Sequence, residues 1–249
     1  MTVFEKEKTM SERDKSREMT TQQLACTYLR EQILTGKFGV GMRLKTEELA
    51  EALGISRMPV RDALQQLHSE GLVEIRPNRG AIVTRLSANE ILEMFEIRAT
   101  LEGLAARHAC VNFGSDDLYQ LERMRDEMHR STDDLDLWLK LHDKFHDFVC
   151  LRSNRPRLFR QIRTARQAVT PYVRMYISVY HRMEMPRAEH DLLISVAFRG
   201  NPDLFEATMR DHVLSAGNGV SSFLNQRALD AGKVSLSQPL RTESQPLKD

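Results

Sequence analysis

A mainly α-helical protein in two parts is what this sequence predicts: a small unit of three helices closed by a β-hairpin, then an all-α bundle. Three observations carry the prediction. Apolar residues recur near helical spacing over most of the stretch from Thr20 to about residue 225. The alternating segments LVEIR and AIVTR flank the turn residues Pro77, Asn78, Arg79 and Gly80. At Ser87 the character changes, because SANE reads as a capping box that opens a long helix.

Taken in order, residues 1–18 are dense in charge with almost nothing to bury, and are expected to be a disordered tail. Leu24, Tyr28, Leu29 and Ile33 then mark a first helix that Gly36 should end. After the link GKFGVGMRL, Thr46 is the expected N-cap of a second helix, with Glu47 and Glu48 suited to the positive end of its dipole and Gly54 at its end. Ser56 is placed to cap a third helix, and Pro59 falls in the first turn, where its missing N–H is tolerated. Val60, Ala63, Leu64 and Leu67 face inward there, which leaves Arg57, Met58 and Arg61 facing out. Gly71 closes that helix ahead of the hairpin.

From Ser87 onward no strand pattern is evident, and five to seven helices are expected. Breaks are read at Asn112 to Ser115, Asn154 to Pro156, Met183 to Pro186 and Gly200-Asn201-Pro202. The last twenty or so residues return to a polar, Pro-containing composition and are expected to be disordered. The boundaries that result are 1–18 tail, 19–86 first unit, 87–228 helical unit and 229–249 tail.

Composition narrows the function classes. The chain has 249 residues, 41% hydrophobic and 29% charged, enough to bury a sizeable core. No apolar run is long enough to span a membrane and the first twenty residues hold no apolar stretch, so no membrane partner and no secretory signal are expected, and the cytoplasm is the default location. Cys26, Cys110 and Cys150 are odd in number and far apart, which supports neither a disulfide framework nor a thiolate metal site. With 36 basic and 35 acidic residues there is no global positive field, and any nucleic-acid contact has to be local.

The first unit has the geometry for such a contact. Two short helices joined around Gly54 match a helix-turn-helix reader, whose second helix enters the major groove by its N-terminal end. Arg57 and Arg61, four apart on one face, can fork onto guanine or hold phosphate. Ser56 and the free N–H groups beside it can also hold phosphate. Met58 lies between the two arginines on the outward surface. Arg79 and Gly80 sit at the hairpin tip, where a cation can approach the backbone or the minor groove. The stretch ILTGKFGVGMRLKTEELAEALGISRMPVRDALQQLHSEGLVEIRPNRGAIV closely resembles the winged-helix domain of the GntR family of bacterial transcription regulators. One departure is Val40-Gly41, where that family commonly has Pro-Gly.

In the helical unit, His142 and His146 project from one face of a helix (LHDKFHDF), a spacing suited to a shared metal, and His190 and His212 lie on two later helices. Imidazoles converging from separate helices would make a shell for a divalent ion, zinc foremost, with nickel or another imidazole-loving ion as alternatives; Asp143 is the alternative carboxylate ligand. The settings HDKFH, AEHDLLISVAFRGNPD and ATMRDHV, with the opening EIRATLEGLAARHA, look like the FCD ligand-binding domain of the FadR subfamily of GntR regulators, over about residues 87–225. That resemblance implies a metal held by an Asp and three His. His146, His190 and His212 match the histidines, while His142 stands at the Asp position. It also implies a homodimer, an inverted-repeat DNA operator and a small organic acid as effector. Arg98 is a candidate partner for that acid, or else pairs with Glu102 one turn on; Arg163 and Arg166 are further candidates.

The function expected is therefore a metabolite-responsive DNA-binding regulator and not an enzyme. A metal-dependent hydrolase is the rival, with Glu189 beside His190 proposed as base, and with no His-Glu-x-x-His motif.

Overall fold

A computed structural model of the chain describes residues 19–76, 80–180 and 186–236. The first unit opens with α1 (Thr21–Leu34), whose start is fixed by a reciprocal capping box between Thr20 and Gln23. Next come β1 (Arg43–Leu44), α2 (Thr46–Leu53), α3 (Arg57–Ser69), β2 (Val73–Arg76) and β3 (Gly80–Val83). The strands form an antiparallel sheet in the order β1-β3-β2, with Leu44 opposite Ala81 and Val73 opposite Val83.

β1 lies inside the link GKFGVGMRL. Two residues are too few to show alternation, so this strand is made by its partner β3 and not by its own pattern. At the start of α2 the cap position belongs to Lys45, one residue before the expected Thr46, while Glu47 and Glu48 do occupy the first turn. Gly54 takes φ 63°, the left-handed conformation that lets the chain leave α2 and turn at once into α3. The core of the unit is built from Leu29, Ile33, Val60, Leu64, Leu67 and Val83, among others. Arg30 ties α1 to Glu70 just past α3, with Nη2 2.7 Å from Oε1.

Six helices follow among the described residues: α4 (Ala88–Cys110), α5 (Ser115–Arg130), α6 (Leu135–Arg152), α7 (Pro156–Tyr180), α8 (Pro186–Phe198) and α9 (Pro202–Leu236). The Ser87–Glu90 capping box opens α4 as expected. An additional break at residues 131–134 separates α5 from α6, where the Asp134 carboxylate accepts from the Leu137 N–H at 2.9 Å. The break read at Met183 to Pro186 falls mostly outside the described residues. α9 continues past the expected boundary near residue 228 to Leu236, since no proline interrupts the sequence before Pro239.

α4 and α9 run antiparallel at close range, and glycine makes that possible. A Cβ at Gly217 would meet Phe95 at 2.5 Å, and one at Gly103 would meet Arg210 at 2.5 Å. Phe95, Phe145, Phe205 and Ile91 fill the bundle core. The two units are joined at a specific point: the Tyr172 hydroxyl on α7 accepts from the Leu86 N–H at 2.5 Å and donates to the Thr84 carbonyl at 3.0 Å. Among the described residues no helix is long and apolar enough to cross a membrane.

Candidate DNA-reading end and candidate metal centre

The N-terminal end of α3 is held from beneath and open above. Val60, Ala63, Leu64 and Leu67 are buried, while Ser56, Arg57, Met58 and Arg61 are exposed, Met58 by 60%. The Ser56 side chain makes no capping hydrogen bond, so its hydroxyl and the first N–H groups of α3 stay available to an outside acceptor. Arg57 stands 3.4 Å from Glu47 of α2 in a solvent-facing pair, and Arg61 has no carboxylate within ion-pair distance among the described residues. Gln65, one further turn along the same row, is also exposed; the spacing 57, 61, 65 would have revealed it. At the wing, Gly80 opens β3 with φ 80°, and a Cβ there would lie 3.2 Å from the Leu44 carbonyl. Arg79 lies outside the described residues.

The four histidines of the bundle converge. One imidazole nitrogen from each of His142, His146, His190 and His212 lies within 4.8 Å of the others. α6 supplies the first two one turn apart, α8 the third and α9 the fourth. His146, His190 and His212 are buried and His142 is half-buried. Trp138, one turn before His142, stacks on its ring at 5.0 Å.

Carboxylates fix how two of these rings point. His146 Nδ1 lies 2.9 Å from Glu102 Oε2, and His212 Nδ1 lies 2.7 Å from Glu189 Oε2. Burial opposes ionisation of Glu102, but the Arg166 and Arg98 guanidiniums and the bond from His146 outweigh it and hold the carboxyl well below its usual range. The hydrogen bond from His212 likewise lowers Glu189. An ionised carboxylate only accepts, so each Nδ1 carries a proton and each Nε2 is the atom turned toward the other rings. The rings do stay neutral where a shift is resolved: burial drives His146 down to about 4, with Glu102 opposing, and burial with the neighbouring imidazoles drives His142 well below its ordinary value.

The Nε2 atoms of His146 and His212 face each other, and a cation could be shared between them. Nitrogens bound to one zinc at about 2.0–2.1 Å in a tetrahedron stand about 3.3–3.4 Å apart, and His146 Nε2 and His212 Nε2 stand 3.3 Å apart. The donor set fits a divalent ion.

Other expected residues are placed differently. Asp143 is not in the imidazole group. It is half-buried on the side of α6 that meets α7, where Arg166 donates to its backbone carbonyl at 3.4 Å. Arg98 is buried and spends Nε and Nη2 on Glu102 Oε1 at 3.1 and 3.0 Å. Of the two pairings open to Arg98 in the sequence, the intrahelical one is made. Arg163 is exposed and lines a cleft whose walls include Leu34 and Asp143 but none of the four histidines. Arg166 is buried and binds both Asp147, at 2.6 Å, and Glu102, at 3.3 Å.

Comparison with known proteins accounts for both halves. Residues 21–83 match the model of the bacterial regulatory proteins of the gntR family, and residues 93–215 match the FCD domain. A regulator from the TAR-I ttuE-ttuC' intergenic region of Agrobacterium vitis is 32% identical over 124 residues, which is 48% of this chain and 72% of that protein. The chain belongs to the GntR family.

Other relatives, named as HTH-type regulators, are matched over a smaller share of their own length or at lower identity. The HTH-type regulator YdhC of Bacillus subtilis is 31% identical over 49% of this chain and 55% of its own length, so the match spans only about half of that relative. The same holds for Rv0043c of Mycobacterium tuberculosis, of which 41% is covered. RspR of Escherichia coli, an HTH-type transcriptional repressor, is 26% identical over 77% of this chain and 85% of its own. The fold is that of E. coli McbR/YncC, with a TM-score of 0.68 at 23% identity over 84% of this chain and 99% of that one. The two models are those of a bacterial regulatory-protein family and of the FCD domain, and these relatives carry the names of HTH-type transcriptional regulators. Glu189, the base that the hydrolase reading proposed, is hydrogen-bonded to His212 and Ser215.

Asp147, as the partner of Arg166, and the contact of Glu102 with His146 are what the sequence reading missed around the histidines. Glu102 and His146 are 44 residues apart. The only local signal was Arg98 and Glu102 at helical spacing, which is equally the mark of a surface pair.

Proposed function

We propose that this regulator is a homodimer that reads an inverted-repeat operator through Ser56, Arg57, Met58, Arg61 and the Arg79-Gly80 wing. In this reading its FCD bundle holds one divalent ion on His142, His146, His190 and His212 and answers to a small organic acid. The observation that carries the effector half is the facing Nε2 pair at 3.3 Å, with each ring's other nitrogen committed to a carboxylate. The exposed, uncapped start of α3 carries the DNA half.

The metal would supply a Lewis-acid anchor for a carboxylate oxygen. Four imidazoles leave room for one if the ion expands beyond four-coordination, as zinc can, or prefers six, as nickel can. Position 142 as His and not Asp makes the shell wholly neutral, so the bound ion keeps its full charge and attracts an anionic effector more strongly than a shell containing a carboxylate would. Arg98 acts by holding Glu102, and through it His146, as the pairing at 3.0 Å indicates; it reaches the effector only if that pair opens.

A path from the ion to the DNA-reading unit runs along α7. Arg166 touches Glu102 at one end of it, and Tyr172, less than two turns on, grips Thr84 and Leu86 at the start of the connection to α4. Effector binding has to favour one pose of that connection, and DNA must then alter effector affinity by the same factor.

The test is a titration of the protein against its own upstream DNA at several salt concentrations, with and without added metal. A steep linear fall of log affinity with log salt is expected. A flat or absent signal contradicts the assignment of α3.

A further inference from the structure

A second cleft, of about 370 Å³, lies between the two units. Its walls are Leu34 at the end of α1, one face of α6 and one face of α7. Four cations line it, Lys140, Lys144, Arg163 and Arg166, against two carboxylates, Asp143 and Asp147. The pair Arg166–Asp147 at 2.6 Å accounts for one of each. Among the described residues, Lys140, Lys144 and Arg163 have no carboxylate within ion-pair distance, and the Nε of the buried Arg166 has no hydrogen-bond partner.

Folding alone does not ask for this arrangement. Lys140 and Lys144 are one turn apart on α6, where like charges repel; Asp143 lies between them in sequence, and Arg163 adds a third cation from α7 across the gap. The cations are concentrated in a recess of a chain whose net charge is only +1. Its volume lies within the range of about 300–1,000 Å³ typical of small-molecule sites. A guanidinium fork beside ammonium groups is the donor set that suits a phosphate or a pair of carboxylates. The recess is walled on three sides, which suits a small ligand better than a continuous duplex backbone.

We propose that this cleft is a second anion site, independent of the metal, which takes a small multivalent oxyanion on Lys140, Lys144 and Arg163 with Arg166 at its base. Because Leu34 belongs to the DNA-binding unit and the other walls to the FCD bundle, a ligand there touches both units at their junction. It is a separate input from an acid bound at the histidines, and it stands whether or not the metal reading does.

Calorimetry of the full chain with two probes, inorganic pyrophosphate and tricarballylate, tests it. One saturable equivalent per chain is expected with at least one probe, and the one that binds shows whether phosphate or carboxylate is preferred. Lys140→Ala combined with Arg163→Ala, both at exposed positions, should weaken that binding by about tenfold or more, as loss of charged hydrogen bonds does. Treatment of the full chain with a chelator should leave it unchanged. No saturable binding of either probe overturns the proposal, as does binding that is lost on chelation and kept in the variant lacking the cations. The Lys140/Arg163 variant should also keep the wild-type salt dependence on upstream DNA; a log–log slope reduced by about two would assign these side chains to the DNA backbone instead.

Discussion

The start of α3 and the histidine centre are built on opposite principles. At α3 the side chains that matter are exposed, adjacent in sequence and free of structural duty: Ser56 caps nothing and Arg61 pairs with no carboxylate among the described residues. At the histidines they are buried, drawn from three helices and locked by a further layer, Glu102, Glu189, Arg98 and Arg166. The contrast teaches that the first region can be altered for function at little loss of stability, while changes to the second carry a cost in stability.

The sharpest way to break this contrast is Glu102→Ala. It leaves two buried guanidiniums and one imidazole without their shared acceptor, and urea denaturation should show a loss of about 3–5 kcal/mol. A loss no larger than that of a surface substitution would show that the buried layer is not structural.

Acidification probes the same layer. In the metal-stripped protein His146 has a folded pKa of about 4, below the 6.5 of an unfolded histidine, so its stabilising contribution is complete above pH 6.5 and is lost as pH falls toward 4. The expected decrease is on the order of 3 kcal/mol over that window. His146→Gln should flatten that part of the stability profile. An unchanged profile in the variant would place the titration elsewhere.

At α3 the expectation reverses. Arg57→Ala and Arg61→Ala should each weaken operator binding by about 1–3 kcal/mol if base contacts are lost, with unfolding midpoints unmoved. A shift in stability comparable to the loss of affinity would make these arginines structural.

The smallest effect separates two serines at equivalent helix positions. Ser87→Ala removes a capping box from α4 and should destabilise the protein by about 1 kcal/mol. Ser56→Ala removes no intramolecular bond and should change stability by less than about 0.5 kcal/mol while reducing DNA affinity. Equal losses of stability would mean that Ser56 caps α3 in solution.

The same contrast explains what could be read from the sequence. The helix-turn-helix was legible because its signals are local: Gly54, Ser56, Pro59 and the inward row at 60, 63, 64 and 67 all act within one or two turns. The strand β1 was not, because its identity comes from β3 and not from itself. The histidines were legible as a set by spacing on α6 and by family texture. Their orientation was not, since it depends on Glu102 and Glu189, which reach them across 44 and 23 residues. The route of Arg98 was undecidable for a related reason, as one helical turn separates it from Glu102 whether the pair is buried or exposed. The helix α9 outran its expected end because polar composition alone does not stop a helix.

The most direct test of the account is metal content with native mass, measured on the wild-type chain and on His190→Ala with His212→Ala. The account predicts one divalent ion per chain in a dimer, with imidazole scattering and no sulfur in its X-ray absorption spectrum, and no retained ion in the double variant. Full occupancy of the double variant, or sulfur in the coordination shell, would contradict it.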